Sequence, residues 1–253
     1  MTQRIIAVVN QKGGVGKTTT AINVAAQLAG TASPVLLVDL DPQGNATSGL
    51  GLPKEVGATT YEVLGGRVSL AKAIQESHVA QLRVLAANAN LAGAEVELVT
   101  RPRREFVLKE ALTGATGYTY VIIDCPPSLG LLTINALTAA NSVLIPVQAE
   151  YYALEGLGQL LNTVQAVRGS TNPGLELLGI VLTMFDKRNS LSEQVQAEVR
   201  NYFGDKLFDS IIPRNVRLAE APSYGRTIYE HDRWSKGARS YKALAKEVKG
   251  RLQ

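Results

Sequence analysis

The chain is poor in cysteine and histidine. Its 253 residues include one cysteine, Cys125, and two histidines. A single cysteine excludes an internal disulfide and any metal site built from clustered cysteines, and it is typical of proteins in the reducing cytosol. His78 has no second histidine, cysteine or acidic cluster near it in the sequence, so we interpret it as a surface or core residue rather than a metal ligand.

The chain also lacks low-complexity linkers, internal repeats and a signal peptide. Strand-like and helix-like segments instead alternate from end to end. We therefore expect one α/β domain over residues 1–253, built on a mostly parallel, twisted β-sheet with helices on both faces.

Charged residues are absent from the stretch 125–149, which is long enough to raise the question of a membrane span. Three prolines and two asparagines interrupt this stretch. Its composition therefore predicts a loop, a buried helix and a buried strand, and we expect no stable membrane insertion.

The ten residues from Asn10 to Thr19, with the sequence NQKGGVGKTT, lie between a predicted strand and a predicted helix. The apolar run 5–9 predicts the buried strand, and apolar residues recur at helical spacing over 21–28. Glycines let a loop curl around anionic oxygens, and a helix start offers unpaired N–H groups and a partial positive charge. The stretch predicts a phosphate-binding loop in which Lys17 reaches the terminal phosphates and Thr18 ligates Mg²⁺.

This loop departs from the general phosphate-loop pattern at its beginning. Gln11 stands where the pattern G-x-x-x-x-G-K-[ST] has its first glycine, and an additional lysine, Lys12, follows it. The arrangement matches the deviant Walker A signature, and the chain resembles the ParA/MinD family of P-loop ATPases; a chance glycine-rich loop is the alternative. In that family the early lysine crosses to the nucleotide of a second subunit, which implies a homodimer in the ATP state. The resemblance assigns nucleotide binding in the loop to Lys12, Gly13, Gly14, Val15, Gly16, Lys17, Thr18 and Thr19.

Two aspartates follow predicted buried strands. Asp124 ends the strand 120–124, and Asp41 comes directly after the strand 34–39. The carboxyl ends of parallel strands border the crevice in which α/β sheets bind ligands. We predict that Asp124 holds Mg²⁺, usually through a water, opposite Thr18. The resemblance implies that Asp41 orients the attacking water and acts in catalysis with Lys12 and Lys17, whereas a simple turn aspartate before a proline is the alternative for Asp41.

A further acidic residue, Glu150, follows the predicted strand 142–147 and is expected at the edge of the same crevice. The resemblance suggests a dimer-facing or partner-facing role for Glu150. The alternative is a glutamate that is merely solvated.

Two more strands are predicted in the last third of the chain, at 177–184 and 207–212. The helix between them is expected to begin with the capping-box pair Ser190 and Glu193. The resemblance implies that the loops after these two strands hold adenine. Apolar surface, packing and an amide for the ring would come from Met184, Pro213 and Asn215.

Positive charge is concentrated towards the C-terminus. Residues 186–253 contain 14 Lys and Arg against 9 Asp and Glu, and residues 1–185 contain 12 against 13. The surplus indicates an anionic partner, with a solvated basic face as the alternative. Arg188 and Arg217 match DNA-binding arginines of close relatives within the family, so the resemblance implies non-specific binding of double-stranded DNA by these two residues.

The resemblance covers essentially the whole chain, including the segments 41–45, 150–156 and 213–218, and it is greatest for the short chromosomal ParA proteins often called Soj. It implies a cytoplasmic, nucleoid-associated ATPase for chromosome or plasmid segregation that uses ATP and Mg²⁺ and hydrolyses ATP slowly until a ParB-type protein stimulates it. No N-terminal helix-turn-helix domain is expected, because the first strand begins within a few residues of the start. The alternative is a MinD-like membrane-cycling ATPase, which needs an amphipathic anchor. The apolar stripe Leu244, Val248 and Leu252 is short and lacks large aromatics, which favours a helix docked on the body.

Overall fold

Seven strands form one β-sheet in the computed structural model, which describes residues 3–55, 57–150 and 153–253, without the side chains of 153–155. The segment 150–156 of the family resemblance includes Tyr151 and Tyr152, which lie outside the described residues. The strands are β1 (Arg4–Val8), β2 (Val35–Asp39), β3 (Ile74–Glu76), β4 (Leu82–Leu85), β5 (Tyr120–Asp124), β6 (Ser142–Gln148) and β7 (Glu176–Thr183).

The sheet has the order β3-β4-β2-β5-β1-β6-β7. All neighbouring strands run parallel except the edge strand β3, which is antiparallel to β4. The prediction of a single α/β domain with a mostly parallel sheet is therefore confirmed. The parallel arrangement brings the carboxyl ends of β1, β2, β5 and β7 to one edge of the sheet, where the predicted functional residues lie.

Helices cover both faces of the sheet. They are α1 (Lys17–Leu28), α2 (Asn45–Gly49), α3 (Thr60–Leu64), α4 (Leu70–Ala73), α5 (Leu91–Val99), α6 (Val107–Leu112), α7 (Leu131–Ala139), α8 (Ala153–Arg168), α9 (Ser190–Phe203), α10 (Val216–Glu220), α11 (Ile228–His231) and α12 (Lys236–Arg251). Short 3₁₀ turns lie at Arg104–Phe106, Gly204–Lys206 and Ala221–Tyr224.

Two hydrophobic layers separate the helices from the sheet. Because side chains alternate along a strand, Val121 and Ile123 of β5 pack towards α3–α9, whereas Tyr120 and Ile122 pack towards α1 and α12. Strands buried on both faces read as continuous apolar runs, which is why their positions could be predicted.

The C-terminal helix α12 packs against α1. The apolar stripe Leu244, Val248 and Leu252 is buried there, and the Tyr241 hydroxyl lies 3.1 Å from the Thr20 hydroxyl. The expected docking of this helix on the body is confirmed. In the described part of the chain, we find no helix with the combined length and apolar character that crossing a membrane requires.

The strand predicted at 207–212 is wrong. Two isolated bridges, Ile180 to Leu207 and Phe185 to Pro213, and two backbone hydrogen bonds, from Phe208 to Ile180 and from Ile212 to Leu182, connect this region to β7 without forming a strand. The backbone N–H groups of Asp209 and Ser210 donate instead to the carboxylate of Glu247 on α12, at 3.0 and 2.8 Å. For these two residues, a side chain has therefore replaced the neighbouring strand as hydrogen-bond acceptor.

Two local predictions also need correction. The sequence also predicts a short helix over residues 70–76, but α4 ends at Ala73, because residues 74–76 pair with β4 as the edge strand β3. The start of α9 is capped by Asn189, whose side chain accepts the Leu191 N–H at 3.0 Å, so Ser190 lies inside the helix and does not form the expected capping box. Asn is as good an N-cap as Ser, and the sequence offers both residues in succession.

Candidate functional site

The loop between β1 and α1 has the conformation of an anion cradle. Gly14 and Gly16 have φ values of +75° and +88°, a left-handed region that favours glycine. Gly16 immediately precedes the first helical residue, Lys17, so the N–H groups of the first turn of α1 point into the loop.

Contacts with two other strands fix this loop in place. The Asn10 amide donates to the Pro146 carbonyl at 2.8 Å, and its oxygen accepts the Lys12 N–H at 2.9 Å. The Thr183 hydroxyl at the end of β7 donates to the Val15 carbonyl at 2.8 Å. Sequence reasoning missed Asn10 and Thr183 as supports, because their partners are more than 130 residues away along the chain.

A cavity of about 630 Å³ opens beside the loop. The volume is in the usual range for small-molecule sites. The predicted site residues that line it come from four separate parts of the chain, which the fold brings together. They are Gly13, Gly14, Gly16, Lys17, Thr18, Thr19, Asp41, Met184, Pro213 and Asn215.

Lys17 is a buried cation at the base of this cavity. Its side-chain nitrogen donates to the Lys12 carbonyl at 2.9 Å. Burial lowers the pKa of Lys17, and the nearby carboxylate of Asp124 opposes that shift. A buried ammonium with spare N–H donors is suited to bind the oxygens of an anionic ligand.

Asp124 is fully buried at the end of β5, and neither of its carboxylate oxygens has a hydrogen-bond partner among the residues that the structure describes. Burial, and then the neighbouring charge of Asp39, raises the pKa of Asp124 well above its ordinary value. With the Thr18 side chain beside them, these two buried oxygens form a donor set that fits a hard divalent cation such as Mg²⁺. A bound cation would compensate the carboxylate charge.

Asp39 and Asp41 have different surroundings because β2 ends between them. The carboxylate of Asp39 accepts the N–H and hydroxyl of Thr47 at 2.8 and 2.7 Å, and burial raises its pKa to about 6. Asp41 instead lines the cavity, and within the described residues its carboxylate accepts only the Gln43 N–H, at 2.9 Å. Asp39 therefore supports the loop after β2, and Asp41 has the position from which a ligand or water can be reached.

Lys12 points away from the cavity. Its ammonium lies 2.7 Å from the Glu150 carboxylate, and both side chains are about half exposed. The Gln148 amide also donates to Glu150. Glu150 is thus an ion-pair partner of Lys12, a contact that the sequence did not predict.

The far end of the cavity is formed by two adjoining loops. Met184 adopts a φ of +50°, which is unusual for a residue other than glycine. The Phe185 N–H donates to the Ile212 carbonyl, and the Arg214 N–H donates to the Phe185 carbonyl, both at 3.1 Å. The Asn215 oxygen caps α10 by accepting the Arg217 N–H at 2.9 Å, so its amide N–H₂ is the part left for a ligand.

Arg188 and Arg217 lie outside the cavity, Arg188 on the loop after β7 and Arg217 in the first turn of α10, directly after the second loop. Arg188 forms a two-point contact with Asp186 at 3.1 and 2.9 Å, and this hydrogen bonding lowers the pKa of Asp186 to about 2. Arg217 pairs with Glu220 at 2.9 Å. Both arginines are largely exposed, so solvent anions can reach them.

Sequence comparisons with known proteins indicate the family of this chain. A family model described as AAA domain matches residues 3–177. The chromosome partitioning protein ParA of Caulobacter vibrioides is 52% identical over 249 residues, covering 97% of this chain and 93% of the relative. The chromosome-partitioning ATPase Soj of Thermus thermophilus is 54% identical over 252 residues, covering 99% and 97%.

A solved structure also matches over nearly its whole length. It is described as cobyrinic acid a,c-diamide synthase from Mycobacterium smegmatis with bound ADP and magnesium, and it superposes with a TM-score of 0.85 at 41% identity, covering 97% of this chain and 93% of that one. Identities of this size over almost complete chains show the family. The chain belongs to the ParA/Soj family of chromosome-partitioning ATPases.

Proposed function

We propose that this protein binds Mg²⁺–ATP, pairs with a second copy in an ATP sandwich, and in that state binds double-stranded DNA non-specifically during segregation. A ParB-type protein bound at centromere-like sites then stimulates the slow hydrolysis of ATP and releases the DNA. The observation that carries this proposal is the cavity lined by the buried Lys17 and Asp41, together with the unpaired buried carboxylate of Asp124 at the same sheet edge.

Within one subunit, each of these groups has a separate task. Lys17 and the N–H groups of the loop neutralise and orient the phosphates, and Thr18 and Asp124 hold Mg²⁺. When bound, Mg²⁺ offsets the negative charge that develops on the terminal phosphates. Asp41 positions water for attack in line with the leaving group. Met184, Pro213 and Asn215 hold the adenine end.

Lys12 is the residue that makes the site depend on a second copy. Its ammonium is directed to Glu150 rather than into its own cavity, where Lys17 already supplies a cation. In the ATP dimer Lys12 exchanges this carboxylate for the triphosphate of the partner subunit. The energy of ATP binding is thereby used to join two subunits.

The DNA surface is proposed on the two loops that close the adenine end. The hydrogen bonds between Phe185, Ile212 and Arg214 join the loop that carries Arg188 to the segment that leads into α10, where Arg217 lies. Dimerisation doubles this cationic surface. Affinity for phosphates falls with salt, with a log–log slope of roughly −0.9 per contacted phosphate.

Sedimentation with ADP or ATP, with and without plain DNA, tests the proposal. The Asp41→Ala protein is expected to shift from monomer to dimer in ATP and to retain DNA only in that state. Lys12→Ala is the matched variant: it is expected to bind ADP but to stay monomeric and release DNA. Normal ATP-driven pairing and DNA retention by Lys12→Ala would contradict the proposal.

A further inference from the structure

Exposed aromatic side chains concentrate near the proposed DNA surface. Of the seven large hydrophobic side chains that are exposed in the described part of the chain, four fall within residues 216–234. The only tryptophan of the sequence, Trp234, is among them and is 79% exposed. The function proposed above does not account for these aromatics. The four are Val216 and three aromatic residues, Tyr224, Tyr229 and Trp234.

A guanidinium group connects two of these rings. The Arg233 Cζ lies 5.3 Å from the Tyr229 ring centroid and 5.5 Å from that of Trp234. One Arg233 nitrogen also donates to the Tyr229 hydroxyl at 3.2 Å. We name Tyr229, Arg233 and Trp234 the Arg233 cluster. The ring contacts hold the guanidinium at the surface, and its remaining N–H groups are available to an external acceptor.

The Arg233 cluster is continuous with Arg217. Asp232 joins them, because one of its oxygens lies 3.8 Å from Arg217 Nε and the other accepts the Trp234 N–H at 3.1 Å. The cluster therefore extends the cationic surface that begins at the loops around the adenine end.

The acidic residues next to the cluster are already engaged. Glu220 pairs with Arg217 at 2.9 Å, and Glu230 lies 3.0 Å from His78. Among the residues that the structure describes, no ion pair involves Arg233 or the following cations Lys236 and Arg239. The surface thus has unneutralised positive charge interleaved with aromatic rings, which favours a polyanion over a neutral or basic partner.

We propose that the Arg233 cluster is a contact surface for double-stranded DNA. Arg233 donates to a backbone phosphate, and the rings of Trp234 and Tyr229 pack against the adjoining sugars. The inference rests on the proposed DNA binding in the ATP state and adds residues to it that the family resemblance did not supply. Aromatic and arginine side chains also dominate protein–protein hot spots, but the shared surface with Arg217 and the engaged carboxylates favour DNA.

The single tryptophan makes the test direct. With ATP and Mg²⁺, addition of a short unlabelled duplex is expected to change the emission of Trp234. Anisotropy of a labelled duplex should show Trp234→Ala and Arg233→Ala weakened about fivefold, with Trp234→Phe close to the original protein. Arg233→Ala should also reduce the steepness of the log–log salt dependence by roughly 0.9. Tyr202→Ala, which removes an exposed aromatic on α9, is the matched control and should bind normally.

Two results would overturn the inference in distinguishable ways. If the original protein binds the duplex, but Trp234 emission stays constant and both alanine variants bind as tightly, the cluster is not a DNA surface and a protein partner becomes its occupant. If the original protein retains no DNA in ATP, the proposed DNA binding itself is wrong. Unchanged ATP-dependent dimerisation and thermal melting of the variants show that a loss of binding does not come from misfolding.

Discussion

At the scale of single residues, the site is defined by groups that are buried without a sufficient partner. Asp124 has two buried oxygens with no acceptor role in the described residues, and Lys17 donates to one main-chain carbonyl. Unpaired buried polar groups cost free energy, so they persist where a ligand satisfies them. The sequence predicted both residues from their positions at a strand end and a helix start, because that placement follows from local pattern alone.

Replacing Asp124 with Asn is expected to separate two effects of the carboxylate, namely the free-energy cost of burying it and its role in holding Mg²⁺. The neutral amide is cheaper to bury, so the nucleotide-free variant should melt a few degrees higher, which corresponds to about 1 kcal/mol. Mg²⁺–ADP should raise the melting temperature of the original protein but scarcely that of the variant. Thermal melting with ADP, with and without Mg²⁺, measures both effects. An equal Mg²⁺-dependent rise in the two proteins would count against Asp124 as the cation-holding residue.

Asp39 and Asp41 allow a matched comparison between a residue that stabilises the fold and one that is proposed to act in hydrolysis. Asp39→Ala leaves the N–H and hydroxyl of Thr47 buried without their acceptor, so the free energy of unfolding should fall by about 2–4 kcal/mol. Asp41→Ala removes only the bond to the Gln43 N–H and should cost about 1 kcal/mol or less. The rate of ATP hydrolysis per folded molecule should fall more in Asp41→Ala than in Asp39→Ala. Asp41→Ala should still bind ATP but turn it over at least about tenfold more slowly. Rapid turnover by folded Asp41→Ala would exclude its proposed role.

At the scale of elements, the sequence predicted what depends on continuous apolar runs and missed what depends on distant side chains. Strands such as β2 and β5 are buried on both faces and therefore have a strong local signal. Residues 207–212 have a similar apolar content, but Glu247 takes two of their N–H groups. The Lys12 contact with Glu150 was missed for the same reason, since 138 positions separate the two residues.

The Glu247 contact should be important for the loop at the adenine end. Glu247→Ala removes the acceptor for the Asp209 and Ser210 N–H groups and for the Ser210 hydroxyl, so we expect a loss of about 1–3 kcal/mol in unfolding free energy. Hydrogen exchange of residues 207–213 should accelerate more than that of β7. Glu198→Ala, at an exposed position on α9, is the control and should change neither. If exchange rises equally across the sheet, Glu247 acts on global stability and not on this segment.

At the scale of the whole molecule, one sheet edge carries all of the proposed activities. The loop after β7 and the segment 213–217 line the cavity with Met184 and Asn215, and a few residues further on they carry Arg188 and Arg217. In the proposed function, a nucleotide that orders these two loops also orders the arginines. This arrangement gives a physical basis for DNA binding that depends on ATP, and it could not be deduced from the sequence because the contact between the loops is tertiary.

The ion pair between Lys12 and Glu150 bears on the balance between monomer and dimer. If Lys12 must leave Glu150 to reach the partner subunit's nucleotide, the pair stabilises the monomer. Exposed ion pairs contribute roughly 0–1 kcal/mol, so Glu150→Gln should tighten ATP-dependent dimerisation by at most about fivefold. Sedimentation over a range of protein concentrations, in ATP with the Asp41→Ala background, measures this change. Glu97→Gln breaks a pair with Arg67 of nearly the same exposure and should leave dimerisation unaltered. Weaker pairing of Glu150→Gln would show instead that Glu150 stabilises the dimer, in line with the partner-facing role that the family resemblance suggests.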